Sequence, residues 1–290
     1  MGHRLAAAAR LTPFPPPGLE LPHMCCFAFP TPTSLLARML VRPIRVHNTQ
    51  IFARLDGPQQ LVAYAMNLRA RSEVAMILPL PVRPGADEAD LHFIDLSAAP
   101  DLFDLLHLAF MPPPMPAAKG GFMPQGISRS RQTLIVRQVG AFEASFVPSI
   151  ADFDRLDPRF RLPDAVWSEL PVHDFGFAVF KLRETGGDAK IHPMAFRFPT
   201  RDPARIFFPT LHIHDGKAHS HARFDHSLYY QRSDSSVDPD HARPLFTELV
   251  TRAAERSNGL VHREWPLARA TLTGRRANAD TWFTASGSAA

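Results

Sequence analysis

Histidines are the residues of this sequence whose types and spacing point most directly to chemistry. Five of the fourteen histidines lie within a short stretch, at His212, His214, His219, His221 and His226. Side chains two residues apart on a strand share a face, so His212 and His214 are expected to project together. The turn signal Asp215-Gly216 follows them and would fold the chain back toward the same face.

A metal site is the first chemistry that this histidine cluster suggests. Imidazole binds zinc, iron and copper, and three such ligands with one open position make a catalytic centre. His192 and His226 lie on flanking predicted strands. The predicted metal ligands are therefore His192, His212, His214 and His226, and the implied cofactor is a divalent transition metal such as zinc. The alternative is a set of ordinary surface and turn histidines at a hairpin. The His-x-His pair resembles cupin metal sites, but the glutamate that follows in cupins is missing here.

The second candidate group is the adjacent pair Cys25 and Cys26, the only cysteines in the chain. If translation starts at Met24, removal of the methionine leaves Cys25 as the first residue. Its α-amine can then take the thiol proton within one residue, and the thiolate can attack an amide or ester carbonyl. His212 or His214 could instead be the general base. This interpretation predicts Cys25 and His214 as catalytic residues.

The Met-Cys start resembles that of N-terminal-nucleophile amidohydrolases and glutamine amidotransferases. That resemblance implies hydrolysis of a C–N or ester bond, on a sandwich of mainly antiparallel strands. It also implies an arginine and asparagines near the nucleophile, for which Arg45, Asn48 and Asn67 are candidates. The alternative is that both cysteines are small, partly buried packing residues.

The elements that must position these residues are mostly strands. Segments 44–55, 59–69 and 73–82 are rich in β-branched and aromatic residues and predict an antiparallel meander. Further strands are predicted at 132–148, 173–183, 189–198, 205–214, 223–231 and 267–273. Helices are predicted at 100–110, 163–170 and 242–257. Strands in runs with few helices predict an α+β fold, mainly antiparallel β-sheet with a few flanking helices.

Domain organisation follows from the local composition. Residues 1–23 are rich in alanine and proline and predict either a disordered tail or a mis-assigned start. Residues 24–290 are expected to form a single globular domain. A loop rich in proline, glycine and methionine at 111–130 could divide that domain into two sub-structures.

Composition excludes several classes of function. The 32 basic residues are scattered among 28 acidic ones, although the net charge is +4, so the concentrated basic stripe of a nucleic-acid-binding protein is missing. No window approaches 18 apolar residues, which argues against a membrane span. Two adjacent cysteines without a disulfide framework fit a reducing compartment, so we expect a cytoplasmic protein with no nucleic-acid or membrane partner. Other partners are unknown.

Several segments together resemble an uncharacterised bacterial protein family, a domain of unknown function. They are MCCF at 24–27, AMILPLPV at 75–82, FEASFVPS at 142–149, HPMAF at 192–196 and FDHSLY at 224–229. The resemblance supports a start at Met24 and implies no activity. Two functions of different class therefore stay open. One is a binding or interaction protein with a histidine metal site, and the other is a cysteine-dependent N-terminal-nucleophile-type hydrolase.

Overall fold

A computed structural model describes residues 26–28, 44–83, 85–112, 143–158, 161–213 and 217–284. Its strands are β1 (Cys26–Ala28), β2 (Arg45–Asp56), β3 (Gln59–Arg69), β4 (Val74–Leu80), β5 (His92–Ile94), β6 (Glu143–Val147), β7 (Gly176–Leu182), β8 (Ala189–Lys190), β9 (Met194–Pro199), β10 (Arg205–Phe208), β11 (His221–Arg232), β12 (Ala268–Ala277) and β13 (Thr281–Thr284). Its helices are α1 (Leu102–Ala109), α2 (Asp164–Glu169) and α3 (Thr247–Arg256), with a 3-10 helix at Ile150–Arg155. Among these residues no helix combines the length and apolarity that crossing a membrane requires.

The larger sheet has the strand order β12-β11-β2-β3-β9-β5, and β8 also pairs with β3. The hairpin of β2 and β3 is at its centre and turns at Asp56-Gly57-Pro58, where Gly57 has a φ of 55°. A positive φ is readily adopted by glycine and suits such a tight turn. The pairings of this sheet are antiparallel except that β11 runs parallel to β2.

The smaller sheet is antiparallel and has the strand order β1-β4-β7-β6. The predicted meander is therefore wrong in its third strand, because β4 leaves β3 and joins this second sheet. All seven residues of β4 are buried, so both of its faces are apolar. Its sequence pattern could not show which sheet it joins.

The two sheets pack face to face and are covered by helices. Inner faces of both sheets form one apolar cluster, in which Phe180 of β7 meets Phe196 of β9. The outer face of the larger sheet packs against α1 and α3, and that of the smaller sheet packs against α2. The described residues thus form helix, sheet, sheet and helix layers. Strands dominate and helices are few, as the sequence predicted.

Both sheets combine strands from before and after residues 113–142. In the smaller sheet β4 pairs with β7, and in the larger sheet β3 pairs with β9. The described strands of the two halves are therefore interleaved. Most of the predicted loop at 111–130 lies outside the described residues, as do the predicted tail at 1–23 and Met24.

Two predictions in the second half need correction. The hairpin between 205–214 and 223–231 does not form, since β10 pairs with β13 while β11 pairs with β12 and β2. The C-terminal helix begins at Thr247, later than the predicted start at 242. Its predicted end is confirmed, because Asn258 and Gly259 both adopt positive φ and stop the helix.

Candidate functional site

Two of the predicted histidine ligands, His212 and His226, meet inside the protein. Their exposed fractions are 2% and 1%. The ring centroids lie 5.2 Å apart and the ring planes differ by 14°. Phe224 packs beside both rings, with its centroid 4.3 Å from that of His212 and 5.3 Å from that of His226. We call His212 and His226 the histidine pair.

Strand alternation positions His226. It shares the inner face of β11 with Leu228 and Tyr230, both members of the cluster between the sheets. In the parallel register with β2, His226 is opposite Thr49, which is fully buried. An imidazole and a hydroxyl therefore interrupt the apolar layer at this point.

His212 is fixed through its backbone. Asn278, in the turn after β12, accepts from the His212 N–H at 2.8 Å and donates to its carbonyl oxygen at 2.8 Å. The Oδ1 atom of Asp280 accepts the N–H groups of Thr210 and Leu211, each at 2.9 Å. Burial raises the pKa of Asp280 to about 7. These side chains hold the segment before His212 against the C-terminal strands.

On its other side the segment that carries His212 pairs with β1. Cys26 forms a parallel bridge with Ile213, and the N–H of Phe27 donates to the Ile213 carbonyl at 2.8 Å. The Cys26 thiol is buried and lies 3.6 Å from the Leu211 carbonyl oxygen. Cys26 is thus a packing residue, which is the alternative that the sequence left open for it.

The polar atoms beside the histidine pair are unsatisfied. Both ring nitrogens of His226 and the hydroxyl of Thr49 are buried and form no hydrogen bond within the described residues. Burying such atoms costs free energy unless a water or an ion bonds to them. Burial lowers the pKa of His226 to about 3, so the ring is neutral at physiological pH and its nitrogen lone pair can bind a metal.

A second group of polar side chains lies on the opposite face of the larger sheet and includes Asp225, the residue before His226. The pairing of β2 and β3 shifts between His47 and Gln50, which marks a β-bulge, and Asn48 has a φ of 54°. The Asp225 carboxylate accepts the Asn48 N–H at 2.8 Å. Burial raises the pKa of Asp225, and its hydrogen bonds from the backbone of Asn48 and Thr49 partly offset that shift.

His47 extends this second group across the sheet. Its Nε2 atom lies 3.2 Å from Nδ2 of Asn67, its partner on β3. We call Asp225, His47, Asn48 and Asn67 the bulge cluster. Two of the three residues that the hydrolase resemblance suggested, Asn48 and Asn67, belong to it. The third, Arg45, is exposed at the start of β2.

The remaining predicted site residues lie elsewhere or outside the described part. His192 precedes β9 and its Nδ1 atom lies 3.0 Å from the carbonyl of Pro193. Three strand spacings separate β9 from β11, about 14 Å, so His192 does not join the histidine pair. His214 and Cys25 lie outside the described residues. Within the described ranges, no set of three histidine, cysteine, aspartate or glutamate groups could hold one ion.

Sequence reasoning missed Thr49 and Asp225, the two residues that connect the histidine pair with the bulge. A usable signal was present in His47-Asn48-Thr49. Asparagine is depleted in strands and tolerates positive φ, so its position inside a predicted strand indicated a bulge. Bulges are frequent near functional sites.

Comparisons with known proteins leave the family open. No family model matches the chain, and no curated protein matches it significantly. Among solved structures, the chain is similar to baculovirus P35, with a TM-score of 0.42 and 9% identity over 84% of this chain and 98% of that chain. A mutated baculovirus P35 after caspase cleavage gives 0.39 and 8%, over 82% and 97%. At these TM-scores the likeness carries no inference about function.

Proposed function

We propose that this protein is a binding protein that holds a divalent transition metal, such as zinc, at the histidine pair. The observation that carries the proposal is His226, whose two ring nitrogens are buried without a hydrogen bond within the described residues. A buried neutral imidazole in that state is stabilised by any Lewis acid that binds its lone pair. Its close neighbour His212 supplies a second donor of the same kind.

The separation of the two rings supports a shared ion. Two imidazoles that bind one tetrahedral zinc through Zn–N bonds of about 2.0–2.1 Å have ring centroids about 5 Å apart. The centroids of His212 and His226 are 5.2 Å apart. Because the two ring planes are nearly parallel, one imidazole would have to rotate about its χ1 or χ2 bond to direct a nitrogen at an ion shared with the other.

Thr49 supplies one further polar group beside the histidine pair. The buried hydroxyl of Thr49 is opposite His226 and could hydrogen bond to a water on the metal. Because imidazole suits zinc and copper better than magnesium or calcium, we expect selectivity for the former pair. The proposed role is metal binding, with coordination positions left for solvent or a small ligand.

Metal content tests this proposal directly. Protein prepared without a histidine tag, stripped with EDTA and then titrated with zinc, should bind one zinc per chain in calorimetry. His226→Phe should weaken the affinity at least about tenfold, because it removes a ligand and keeps an aromatic ring of similar shape. The matched control is His221→Gln, an exposed histidine on the same strand, which should bind like the wild type. Equal zinc affinity in His226→Phe and wild type would exclude the histidine pair.

A second candidate function is the cysteine-dependent hydrolase with Cys25 as nucleophile. One observation favours it: Cys25 is joined covalently to Cys26, and Cys26 is bridged to Ile213, the neighbour of His212. His212, a candidate general base, is therefore one residue from the bridge partner of Cys26, the residue that follows the proposed nucleophile.

Thiol alkylation at neutral pH distinguishes this candidate, with the modified residue located by mass spectrometry. An activated Cys25 should react at least about tenfold faster than Cys26, which is buried and acts as an internal control. Cys25→Ser should abolish the fast phase. Slow, equal labelling of both thiols would leave the metal-binding function alone.

A further inference from the structure

A cleft of about 480 Å³ opens at the other end of β11, away from the histidine pair. Its lining includes Arg243, Thr247, Thr251, Arg263, Glu264 and Trp265. Gln231 of β11 donates to the carbonyls of His262 and Trp265, each at 2.8 Å. Gln231 is five residues from His226, about 17 Å along a strand. We call this feature the Trp265 cleft, and it is independent of the proposed metal site.

The cleft carries positive charge that the described residues do not neutralise. Neither Arg243 nor Arg263 has a carboxylate within 4 Å among the residues that the structure describes. Glu264 is the single carboxylate in the lining within those residues. Two cations facing one anion leave the cleft with an excess of one positive charge.

The start of α3 adds to this potential. Thr247, the first helical residue, lines the cleft, and no side chain caps the helix there. The first backbone N–H groups of a helix have no partner within the helix, and the helix dipole favours a negative group near them. The hydroxyls of Thr247 and Thr251 lie one turn apart on the same side and supply donors.

Apolar surface is the other component of the cleft. Trp265 is half-buried and its position is fixed: the ring of His262 stacks on it at 4.2 Å between centroids, and the Arg54 guanidinium lies 5.4 Å from its centroid. Arg54 is itself held by the carbonyl oxygens of Gly259 and Leu260 at 2.8 Å and 3.0 Å. An aromatic side chain beside a few charged groups is typical of sites that bind a small molecule with an apolar body.

We propose that the Trp265 cleft binds a small organic anion, with its carboxylate or phosphate between Arg243 and Arg263 and its apolar part against Trp265. The volume is in the range of small-molecule sites, which is about 300–1,000 Å³. Guanidinium groups recognise both anions through paired hydrogen bonds, so carboxylate and phosphate share this chemistry.

Calorimetry with four probes tests the proposal on the full chain. Phenyl phosphate, benzoate, inorganic phosphate and benzyl alcohol are titrated separately into EDTA-treated protein. Binding of phenyl phosphate or benzoate supports the proposal, and the tighter of the two identifies the anion. Benzyl alcohol should bind at least about tenfold more weakly because it lacks the charge. Equal binding of inorganic phosphate and phenyl phosphate would overturn the proposed role of Trp265.

A double variant locates the site. Arg243→Gln with Arg263→Gln should weaken binding of the preferred probe by about tenfold or more. The matched control is Arg275→Gln with Arg276→Gln, two exposed arginines on β12, which should bind like the wild type. Circular dichroism confirms that both double variants fold. Unchanged affinity in the first double variant, or equal loss in the control, would overturn the assignment to this cleft.

Discussion

Phe196→Ala should lower the free energy of unfolding by about 3–5 kcal/mol, the largest stability effect that we predict. Phe196 is fully buried on β9, between the two sheets. Its ring lies 6.0 Å from that of Phe180 and 6.2 Å from that of Phe198, measured between centroids. Because backbone hydrogen bonds hold the surrounding strands in place, the strands cannot move in to fill the cavity that the lost ring leaves. Urea unfolding followed by circular dichroism measures the change.

A control lies on the neighbouring edge strand. Phe93 of β5 is the register partner of Phe196 but is 42% exposed. Phe93→Ala removes the same atoms from a site that water already reaches, so the loss should be about 1 kcal/mol. Phe93 also packs against the rings of Phe180 and Phe196, so equal losses in both variants would mean that full burial is not what makes Phe196 important.

This core also shows which parts of the fold were predictable from sequence. The hairpin of β2 and β3 was predictable because its signals are local: β-branched and aromatic runs on both sides of Asp56-Gly57-Pro58. Helix α1 was predictable for the same reason, from helical spacing within about ten residues. Local signals decide the type of an element, and both elements formed where they were predicted.

Pairing between distant segments was not predictable. β11 runs parallel to β2, with His226 opposite Thr49, and nothing in either segment specifies that partner. β13 (Thr281–Thr284) follows the last predicted strand, 267–273, and it pairs with β10. β13 has only four residues, of which Trp282 and Phe283 are apolar, so its pattern was too short to predict a strand. Such pairings depend on which apolar faces remain uncovered once the local elements have formed.

The candidate site was predictable to a similar extent. The count and spacing of histidines identified His212 and His226, but they meet through the parallel pairing and through Asn278, not through a hairpin. Neighbouring residues Asp225 and His226 face opposite sides of one strand. The bulge cluster and the histidine pair therefore lie on opposite faces of the same part of β11.

Acid should destabilise the protein through His226, and this is the largest pH effect that we expect. Its pKa is lowered from 6.5 to about 3 by burial. Below pH 6.5 the unfolded chain therefore binds a proton that the folded protein rejects, so stability is lost as the pH falls from 6.5 toward 3. One pH unit corresponds to about 1.4 kcal/mol, which gives a loss of about 3 kcal/mol between pH 6.5 and pH 4.

Urea unfolding across that range, in EDTA so that no metal competes with the proton, isolates the contribution. His226→Phe should have a shallower dependence of stability on pH than the wild type, by up to about 1.4 kcal/mol per unit. The carboxylates titrate equally in both proteins, so their contributions cancel in the difference between the two curves. Parallel curves for the two proteins would mean that the buried ring accepts a proton as readily as an exposed one, and would remove the basis for its role as a neutral ligand.

Asp280→Asn is the complementary variant, because Asp280 makes stability depend on pH in the opposite direction to His226. The pKa of Asp280 is raised from 3.8 to about 7, so the folded protein retains a proton that the unfolded chain releases. Stability is therefore lost as the pH rises from about 4 to 7. Asparagine keeps the oxygen that accepts from Thr210 and Leu211 but does not titrate, so the variant should lose less stability than the wild type over that rise. With rising pH, His226 makes the wild type more stable and Asp280 makes it less stable. Opposite changes in the pH dependence of stability in His226→Phe and Asp280→Asn would therefore assign each contribution to its own side chain.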